Sequence, residues 1–203
     1  PMGFEYELAE AFADHLGVDL EVVTPDWVDM FGLLEMGRGD LIAASLTVTP
    51  AREKRVDFSN AYMSVQQHVI VHKHNHDIRS VDDLSGRAVH VRKGTSYQAR
   101  LKELADSGID IEIVLHDNVP TEELIRQVAE KEIEITVADS NIALLNRRYY
   151  PAVRMAFPIE EKQSLGWAVR KGDDELLAEI DKFFDIIEAN GVFGKIYQKY
   201  YAN

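Results

Sequence analysis

Apolar and polar positions along the first part of the chain follow two periods, one typical of helices and one typical of strands. Residues 4–16 place apolar side chains at helical spacing, and Gly17 follows where a left-handed residue would end a helix. Residues 18–23 and 41–47 instead read as short strands, with a second helix predicted over residues 27–36 between them. This order of strand and helix predicts parallel β-α-β units with right-handed crossovers.

A second α/β series begins near residue 65. A strand is predicted over residues 65–72, and Ser80 with Asp83 has the spacing of a capping box at the start of a helix. Further strands are predicted at 88–91, 111–115 and 133–137, alternating with helices at 95–105, 121–131 and 141–148.

The two series predict a two-lobed α/β protein with a ligand cleft. Residues 151–158 show no strong periodicity, a strand is predicted at 165–169, and the final helices return to the first lobe. We assign residues 1–69 and 160–203 to lobe 1 and residues 70–159 to lobe 2, joined by a hinge of two crossing segments. Ligands of open α/β sheets bind beyond the carboxyl ends of the strands, so the strand-to-helix junctions are searched for chemistry.

Composition narrows the class of protein. The chain has 203 residues, with 22 Lys and Arg against 35 Asp and Glu, and a formal net charge of −13. This charge argues against coating nucleic acid or an anionic membrane, because like charges repel. There is no cysteine, which excludes disulfides, thiolate metal sites and cysteine nucleophiles. Residue 1 opens directly into an amphipathic pattern, without a signal peptide or an apolar run of about 20 residues, so we expect a mature or trimmed soluble fragment.

The first junction offers a site for a carboxylate. Ser45 and Thr47 are two apart on an ending strand, so their hydroxyls share one face. Pro50 at the first turn of a short helix would aim Arg52 back across the strand end, and the guanidinium fork suits a carboxylate. The alternative is that Arg52 belongs only to the charged surface run 52–55.

Two further junctions add an anion site and a negative charge. Gly94, Thr95 and Ser96 lie where a strand turns into a helix, so backbone N–H groups and the positive helix end would meet an anion. Asp139 ends an apolar strand, and a cation is its natural counterpart. Each could be only a turn or a helix cap, but together the junctions match the carboxylate and ammonium of an α-amino acid.

Three longer segments, Gly3–Phe12, Ser45–Tyr62 and Asp82–Arg87, resemble the family 3 extracellular solute-binding proteins. The similarity runs over essentially the whole chain. It implies a type II periplasmic-binding-protein fold that closes on an amino acid. In this family, Ser45 and Thr47 would hold the ligand's ammonium and carboxylate, Arg52 would clamp the carboxylate, Thr95 and Ser96 would approach it from lobe 2, and Asp139 would take the ammonium.

A narrower resemblance lies in the segments Thr136–Pro151 and Gln163–Lys171. They are similar to the regulatory module of the membrane-bound lytic murein transglycosylase F family, in which a solute-binding-like module precedes a lysozyme-like catalytic domain. That resemblance implies a periplasmic module, outer-membrane-associated in its full-length protein, that senses amino acids or cell-wall peptides. The sequence departs from that resemblance in two respects: within these 203 residues we expect no catalytic domain after the module, and we expect lobe 1 to lack the first strand that normally precedes Gly3.

Aromatic and histidine positions leave alternatives open. Tyr62 and Trp27 either line the cleft as ligand-contacting rings or pack in the core. His72, His74 and His76 alternate and could turn two imidazoles toward a metal, but a solvated stretch between lobes is the preferred interpretation. We therefore expect no metal and no cofactor.

Three functions remain. A binding module for an amino acid or short peptide that regulates an attached lytic transglycosylase is favoured by the narrower resemblance. The alternative is the amino-acid receptor of an ABC transporter, with a permease as partner. A dehydratase on the same fold is less favoured, because it needs a second desolvated acid besides Asp139. We expect no catalytic constellation, no nucleic-acid partner and no membrane span in this chain.

Overall fold

A computed structural model describes residues 2–201 and divides the chain into two compact units. The first unit holds the residues up to Ser64 together with those from Gln163 onward, and the second holds Val65–Lys162. The second unit extends beyond the 70–159 assigned to lobe 2, because the strand Gln67–His72 pairs with strands of that unit along its whole length.

Helices and strands alternate along most of the chain. The helices are α1 (Phe4–Leu16), α2 (Met30–Glu35), α3 (Pro50–Glu53), α4 (Ser96–Asp106), α5 (Thr121–Ala129), α6 (Ser140–Arg147), α7 (Asp174–Ala189) and α8 (Val192–Tyr201). The strands are β1 (Leu41–Ile42), β2 (Val56–Phe58), β3 (Met63–Val65), β4 (Gln67–His72), β5 (Arg87–Arg92), β6 (Ile111–His116), β7 (Ile135–Asp139), β8 (Val153–Pro158), β9 (Gln163–Leu165) and β10 (Ala168–Arg170). Short 3₁₀ helices span Trp27–Asp29 and Val81–Leu84.

The sheet of the first unit is antiparallel, so the prediction of parallel pairing was wrong there. Its order is β1-β10-β2, and β10 runs antiparallel to both neighbours. The central strand therefore comes from the C-terminal part of the chain, which local sequence order could not indicate. Helix α1 buries Phe4, Leu8 and Phe12 in this unit, and Gly17 ends it in the left-handed conformation, as predicted.

Two predicted strands of the first unit are shorter or absent. Residues 18–26 carry no regular secondary structure, and the apolar side chains of Val18 and Val22 are exposed. Within residues 2–201 no neighbouring strand pairs with this segment, and alternation alone cannot satisfy backbone hydrogen bonds. The strand predicted at 41–47 stops at Ile42, because Ser45 has a φ of 50° and leaves the extended conformation.

The strand predicted at 165–169 is divided by Gly166 into β9 and β10. A Cβ atom at Gly166 would lie 3.2 Å from the carbonyl oxygen of Ser59, so this close approach of two backbones favours glycine. Trp167 follows with its side chain fully buried, and its backbone N–H donates to the Ser59 hydroxyl over 3.0 Å.

The second unit is a five-stranded mixed sheet in the order β6-β5-β7-β4-β8. The strands β6 and β7 run parallel to β5, whereas β4 runs antiparallel to β7 and β8. The carboxyl ends of β5 and β7 therefore meet at one edge, where α4 and α6 begin. Strand β8 was not predicted, because its ladder with β4 is irregular between Val69 and Ile70 and its side chains are mostly half-buried.

Helix starts in the second unit largely follow the predicted capping pattern. Ser80 and Asp83 form the predicted capping box, although the helix that they begin is a 3₁₀ turn. Helix α4 begins after Thr95, which caps it. Across residues 2–201 no helix has the length and apolar character that crossing a bilayer requires.

Candidate ligand-binding site

The segment from Ser45 to Arg52 holds the three polar candidates of the first unit. Thr49 caps α3 by accepting the Arg52 N–H at 3.3 Å, and Pro50 is the first residue of that helix, as its spacing predicts. The guanidinium of Arg52 turns back to donate to the Thr47 carbonyl over 2.8 Å and lies 5.9 Å from the centre of the Phe31 ring. Arg52 is half-buried, so its planar donor group is held by packing before any ligand arrives.

Ser45 and Thr47 differ in their surroundings. Ser45 is half-buried, and both its N–H and its hydroxyl donate to one carboxylate oxygen of Glu5, over 3.0 and 3.1 Å. Thr47 is only 2% exposed and forms an isolated bridge with Leu165. Ser45 and Thr47 therefore do not lie on one continuous strand, because β1 ends at Ile42 and Ser45 leaves the extended conformation.

The structure places Tyr62 and Trp27 against apolar clusters. Tyr62 is 5% exposed, stacks on Phe184 at 5.0 Å and donates its hydroxyl hydrogen to Glu5. Trp27 is half-buried against the cluster that includes Phe31 and Leu46. Both rings therefore pack within the first unit, and ligand contact by either ring stays a prediction.

The start of α4 presents Thr95 and Ser96 in the second unit. The Thr95 hydroxyl donates to the Arg92 carbonyl over 2.8 Å and accepts the Gln98 N–H at 3.5 Å. Gly94 has a φ of 80°, a left-handed conformation that glycine adopts easily, and it turns the chain from β5 into α4. Since the Thr95 hydroxyl acts as a helix cap, what this junction offers an anion is the positive end of α4.

Asp139 lies beside that helix start. It is 3% exposed, ends β7, and donates its N–H to the Tyr97 hydroxyl over 3.0 Å. Burial and the neighbouring Asp139 raise the pKa of Tyr97 well above its ordinary value, so the Tyr97 hydroxyl stays protonated at neutral pH. This hydrogen bond joins the end of β7 to the first turn of α4 and brings Asp139 close to Thr95 and Ser96.

Sequence reasoning missed Glu5 and Tyr97, which organise the two sets of candidates. Glu5 lies in the first turn of α1, and Tyr97 follows Ser96 on α4. The sequence offered one indication for each residue: its polar group lies next to helix positions whose side chains are buried. For Glu5 nothing local indicated its partners, because Ser45 and Trp167 are 40 and 162 residues away.

The alternating histidines lie away from these candidates. A cavity of about 340 Å³ in the second unit is lined by His72 and His74 together with Lys131, Glu132 and Glu134. The rings of His72 and His74 are 5.3 Å apart. In the part of the chain that the structure describes, no three His, Cys, Asp or Glu side chains are grouped to hold a metal ion.

Comparison with known proteins settles the family. The profile of the bacterial extracellular solute-binding proteins, family 3, matches residues 1–203. The chain belongs to this family. The resemblance stated from the Ser45–Tyr62 segment is thereby confirmed. The chain is a solute-binding domain of family 3, and its two α/β units with mixed and antiparallel sheets are those of the type II fold.

Individual relatives agree with this family. The chain is 61% identical over 202 residues to a membrane-bound lytic murein transglycosylase F of Desulfosudis oleivorans, covering 100% of this chain but 44% of that relative. An ancestral arginine-binding protein bound to arginine matches with a TM-score of 0.89 and 31% identity, covering 98% of this chain and 88% of the other. The substrate-binding protein of an amino acid ABC transporter matches with a TM-score of 0.88 and 25% identity, covering 100% of this chain and 88% of the other. The chain thus spans less than half the length of its transglycosylase relative.

Proposed function

We propose that this solute-binding domain captures an α-amino acid or a short cell-wall-derived peptide and regulates an attached lytic transglycosylase in the periplasm. The observation that carries the proposal is the pair of opposite charges at strand-to-helix junctions, Arg52 in the first unit and Asp139 in the second. An α-amino acid carries one charge for each of them. Each unit supplies its own polar groups for a zwitterionic ligand.

Roles follow from the chemistry of each group. The Arg52 guanidinium donates to the ligand carboxylate, with Thr47 and the start of α4 at Thr95 and Ser96 adding donors. The Asp139 carboxylate and the Ser45 oxygen accept from the ligand ammonium. The arginine bound by the structural neighbour described above supports a ligand of this class.

Binding is tested first by calorimetry and thermal shift with the standard L-amino acids and muropeptide fragments. A ligand at 100 times its Kd adds about 2.7 kcal/mol to the free energy of unfolding. Asp139→Asn is expected to weaken an amino acid more than the carboxylic acid that lacks its ammonium, whereas Asp117→Asn, at an exposed residue, changes neither. Absence of any shift with all of these compounds, or equal losses for both members of the pair, contradicts the proposal.

The regulatory role has its own test. In a chimera, this chain replaces the matching region of the Desulfosudis oleivorans relative, and the release of soluble fragments from murein sacculi is followed with and without the bound amino acid. The release rate is expected to change with ligand, and Arg52→Ala is expected to abolish the response. A rate that ignores ligand while the chimera still binds it would favour the second candidate function, the receptor of an ABC transporter, which the transporter protein among the structural matches supports.

The buried acid Glu5, which the sequence analysis did not single out, does not favour a dehydratase. Glu5 has a raised pKa through burial, which is a property of general acids. Its two oxygens, however, accept hydrogen bonds from Ser45, Tyr62 and Trp167. Both oxygens of Glu5 are therefore engaged by groups of the first unit itself, which does not favour a role in proton transfer to a substrate.

A further inference from the structure

One carboxylate in the first unit gathers four hydrogen-bond donors from distant parts of the chain. Glu5 Oε1 accepts from the Ser45 N–H at 3.0 Å, from the Ser45 hydroxyl at 3.1 Å and from the Tyr62 hydroxyl. Its Oε2 accepts from the Trp167 indole Nε1–H at 2.9 Å. These contacts join α1 to the segment around Ser45, to the residue before β3 and to the turn between β9 and β10.

The direction of these hydrogen bonds is fixed by chemistry. Burial raises the pKa of Glu5, and the donors from Tyr62, Trp167 and Ser45 oppose that rise by favouring the ionised carboxylate. In that form Glu5 has no proton to give, so each partner donates. A hydroxyl has only one hydrogen, and Ser45 and Tyr62 both direct theirs at Glu5. Burial and the nearby Glu5 raise the pKa of Tyr62 well above its ordinary value, so this phenol keeps its hydrogen at neutral pH.

Ser45 is also held in an uncommon backbone conformation. Its φ of 50° lies in the left-handed region, which residues other than glycine rarely adopt. Such a conformation persists where surrounding contacts hold it. Here the N–H and the hydroxyl of the same residue both bind Glu5 Oε1, so Glu5 fixes the backbone of Ser45 and the orientation of its hydroxyl together.

We propose that Glu5 is a positioning residue that makes the Ser45 oxygen a hydrogen-bond acceptor, so that the first unit selects an ammonium group at this point. With its hydrogen directed at Glu5, the Ser45 oxygen has only lone pairs to offer a ligand. An ammonium has only donors and a carboxylate has only acceptors, so the oxygen complements the first and not the second. This inference rests on the proposed binding of an α-amino acid.

The alternative is that Glu5 serves only to stabilise the fold. In that case its loss weakens every ligand to the same degree. A selective role predicts a loss for ligands with an ammonium and none for matched ligands without one. The two roles therefore differ in the ratio of two affinities, which does not depend on how much stability a variant loses.

The experiment uses Glu5→Gln, which keeps the shape of the side chain but replaces one acceptor oxygen with an NH₂ donor. The probes are L-arginine and 5-guanidinopentanoate, which differ only in the α-ammonium, followed by the other standard amino acids and their deaminated acids. Titration calorimetry is expected to show about tenfold weaker binding of the amine and little change for the deaminated acid. In a Ser45→Ala background, Glu5→Gln is expected to have no further effect on this ratio, because the hydroxyl through which it acts is gone.

Two variants control for folding and for charge. Glu7→Gln removes a carboxylate on the same helix that contacts Lys199 and Tyr200 instead of Ser45, and it is expected to leave both affinities unchanged. Glu5→Asp keeps the charge and is expected to restore part of the preference for the amine. If Glu5→Gln does not fold, the ratio of the two affinities is measured in Glu5→Asp and in Ser45→Ala. Ser45→Ala, as a single variant, must then lose the preference for the amine.

The outcomes separate this inference from the proposed function. Equal weakening of both probes, or additive effects of Glu5→Gln and Ser45→Ala, overturns the selective role while amino-acid binding stands. A wild-type protein that binds neither the standard amino acids nor the muropeptide fragments overturns the proposed function and this inference with it.

Discussion

The two units hold their candidate ligand groups by different means. In the second unit, Thr95, Ser96 and Asp139 lie where parallel strands end and helices begin, so the sheet itself places them at one edge. In the first unit, the sheet is antiparallel, and Ser45, in the segment between β1 and α3, is held by the side chain of Glu5 in α1. Topology positions the candidate groups of the second unit, whereas the side chain of Glu5, 40 residues away in sequence, holds Ser45 in the first unit. We therefore expect Ser45 to be the more sensitive to a single distant substitution.

The largest effect is expected in the core beneath the Glu5 network. Trp167 is fully buried, packs on Phe12, Phe183 and Phe184, and donates to Glu5. Trp167→Ala should lower the free energy of unfolding of the first unit by about 3–5 kcal/mol. Urea titration followed by the fluorescence of Trp27 measures this, because both tryptophans belong to the first unit.

The second unit serves as an internal control for Trp167→Ala, because the substitution lies in the first unit. Far-UV circular dichroism at the same urea concentrations should retain the contribution of the second unit. Trp27→Ala, at a half-buried residue, should lose clearly less stability than Trp167→Ala. A loss below about 1 kcal/mol for Trp167→Ala would contradict a first unit that depends on this core.

The next largest effect concerns ligand affinity. Arg52→Ala removes a charged donor that is already oriented by the Thr47 carbonyl and the Phe31 ring. Hydrogen bonds to charged groups contribute about 1.5–3 kcal/mol, so affinity for an amino acid should fall at least about tenfold by calorimetry.

Arg55→Ala is the matched control for Arg52→Ala. Arg55 also lies over the Phe31 ring, at 5.2 Å, but its guanidinium pairs with Glu35. Its removal should leave affinity within about twofold of wild type, because Arg55 is already committed to an exposed ion pair with Glu35 and exposed ion pairs contribute little. Equal affinities for Arg52→Ala and the wild type would refute the carboxylate-binding role of Arg52.

The contrast between units also explains which features the sequence predicted. The helix and strand pattern of the second unit indicated Thr95 as a cap and Asp139 as the end of a strand, since each follows from local spacing. The first unit was predicted less well, because β10 enters its sheet from the other end of the chain. The segment 18–26 alternates like a strand, but a strand requires a hydrogen-bonded neighbour that a single sequence does not reveal.

The candidate site likewise contains residues whose arrangement follows from local spacing and one whose arrangement does not. Pro50 and Arg52 take the local arrangement that their spacing predicts. The left-handed φ of Ser45 was not predictable, because no local pattern marks it and its hydrogen-bond partner Glu5 lies 40 residues away. Local chemistry is therefore readable from residue types and spacing, whereas the direction of a hydroxyl depends on distant partners.

A smaller effect is expected at the helix start of the second unit. Thr95→Ala removes the side-chain cap of α4 and should lower the free energy of unfolding by about 1 kcal/mol. The change should appear in far-UV circular dichroism, with the tryptophan fluorescence transition of the first unit unmoved. Thr95→Ser keeps the capping oxygen and should stay near wild type; a loss as large as that of Thr95→Ala would indicate that the methyl group, and not the cap, matters.

The smallest effect separates two carboxylates on α1 that respond to pH in opposite directions. Burial raises the pKa of Glu5, whereas hydrogen bonds from Lys199 and Tyr200 lower the pKa of Glu7 below its ordinary 4.5. A lowered pKa means that the unfolded chain binds the proton more readily, so the stability from Glu7 is complete above pH 4.5 and is lost as the pH falls below it. Because Glu7 and Lys199 are partly exposed, this contribution should stay below about 1 kcal/mol.

Glu7→Gln should therefore narrow the difference in unfolding free energy between pH 7 and pH 3, measured by fluorescence in urea. Glu21→Gln, at an exposed residue, should leave that difference unchanged. A variant as acid-sensitive as the wild type would show that the contact between α1 and α8 contributes nothing through the charge of Glu7.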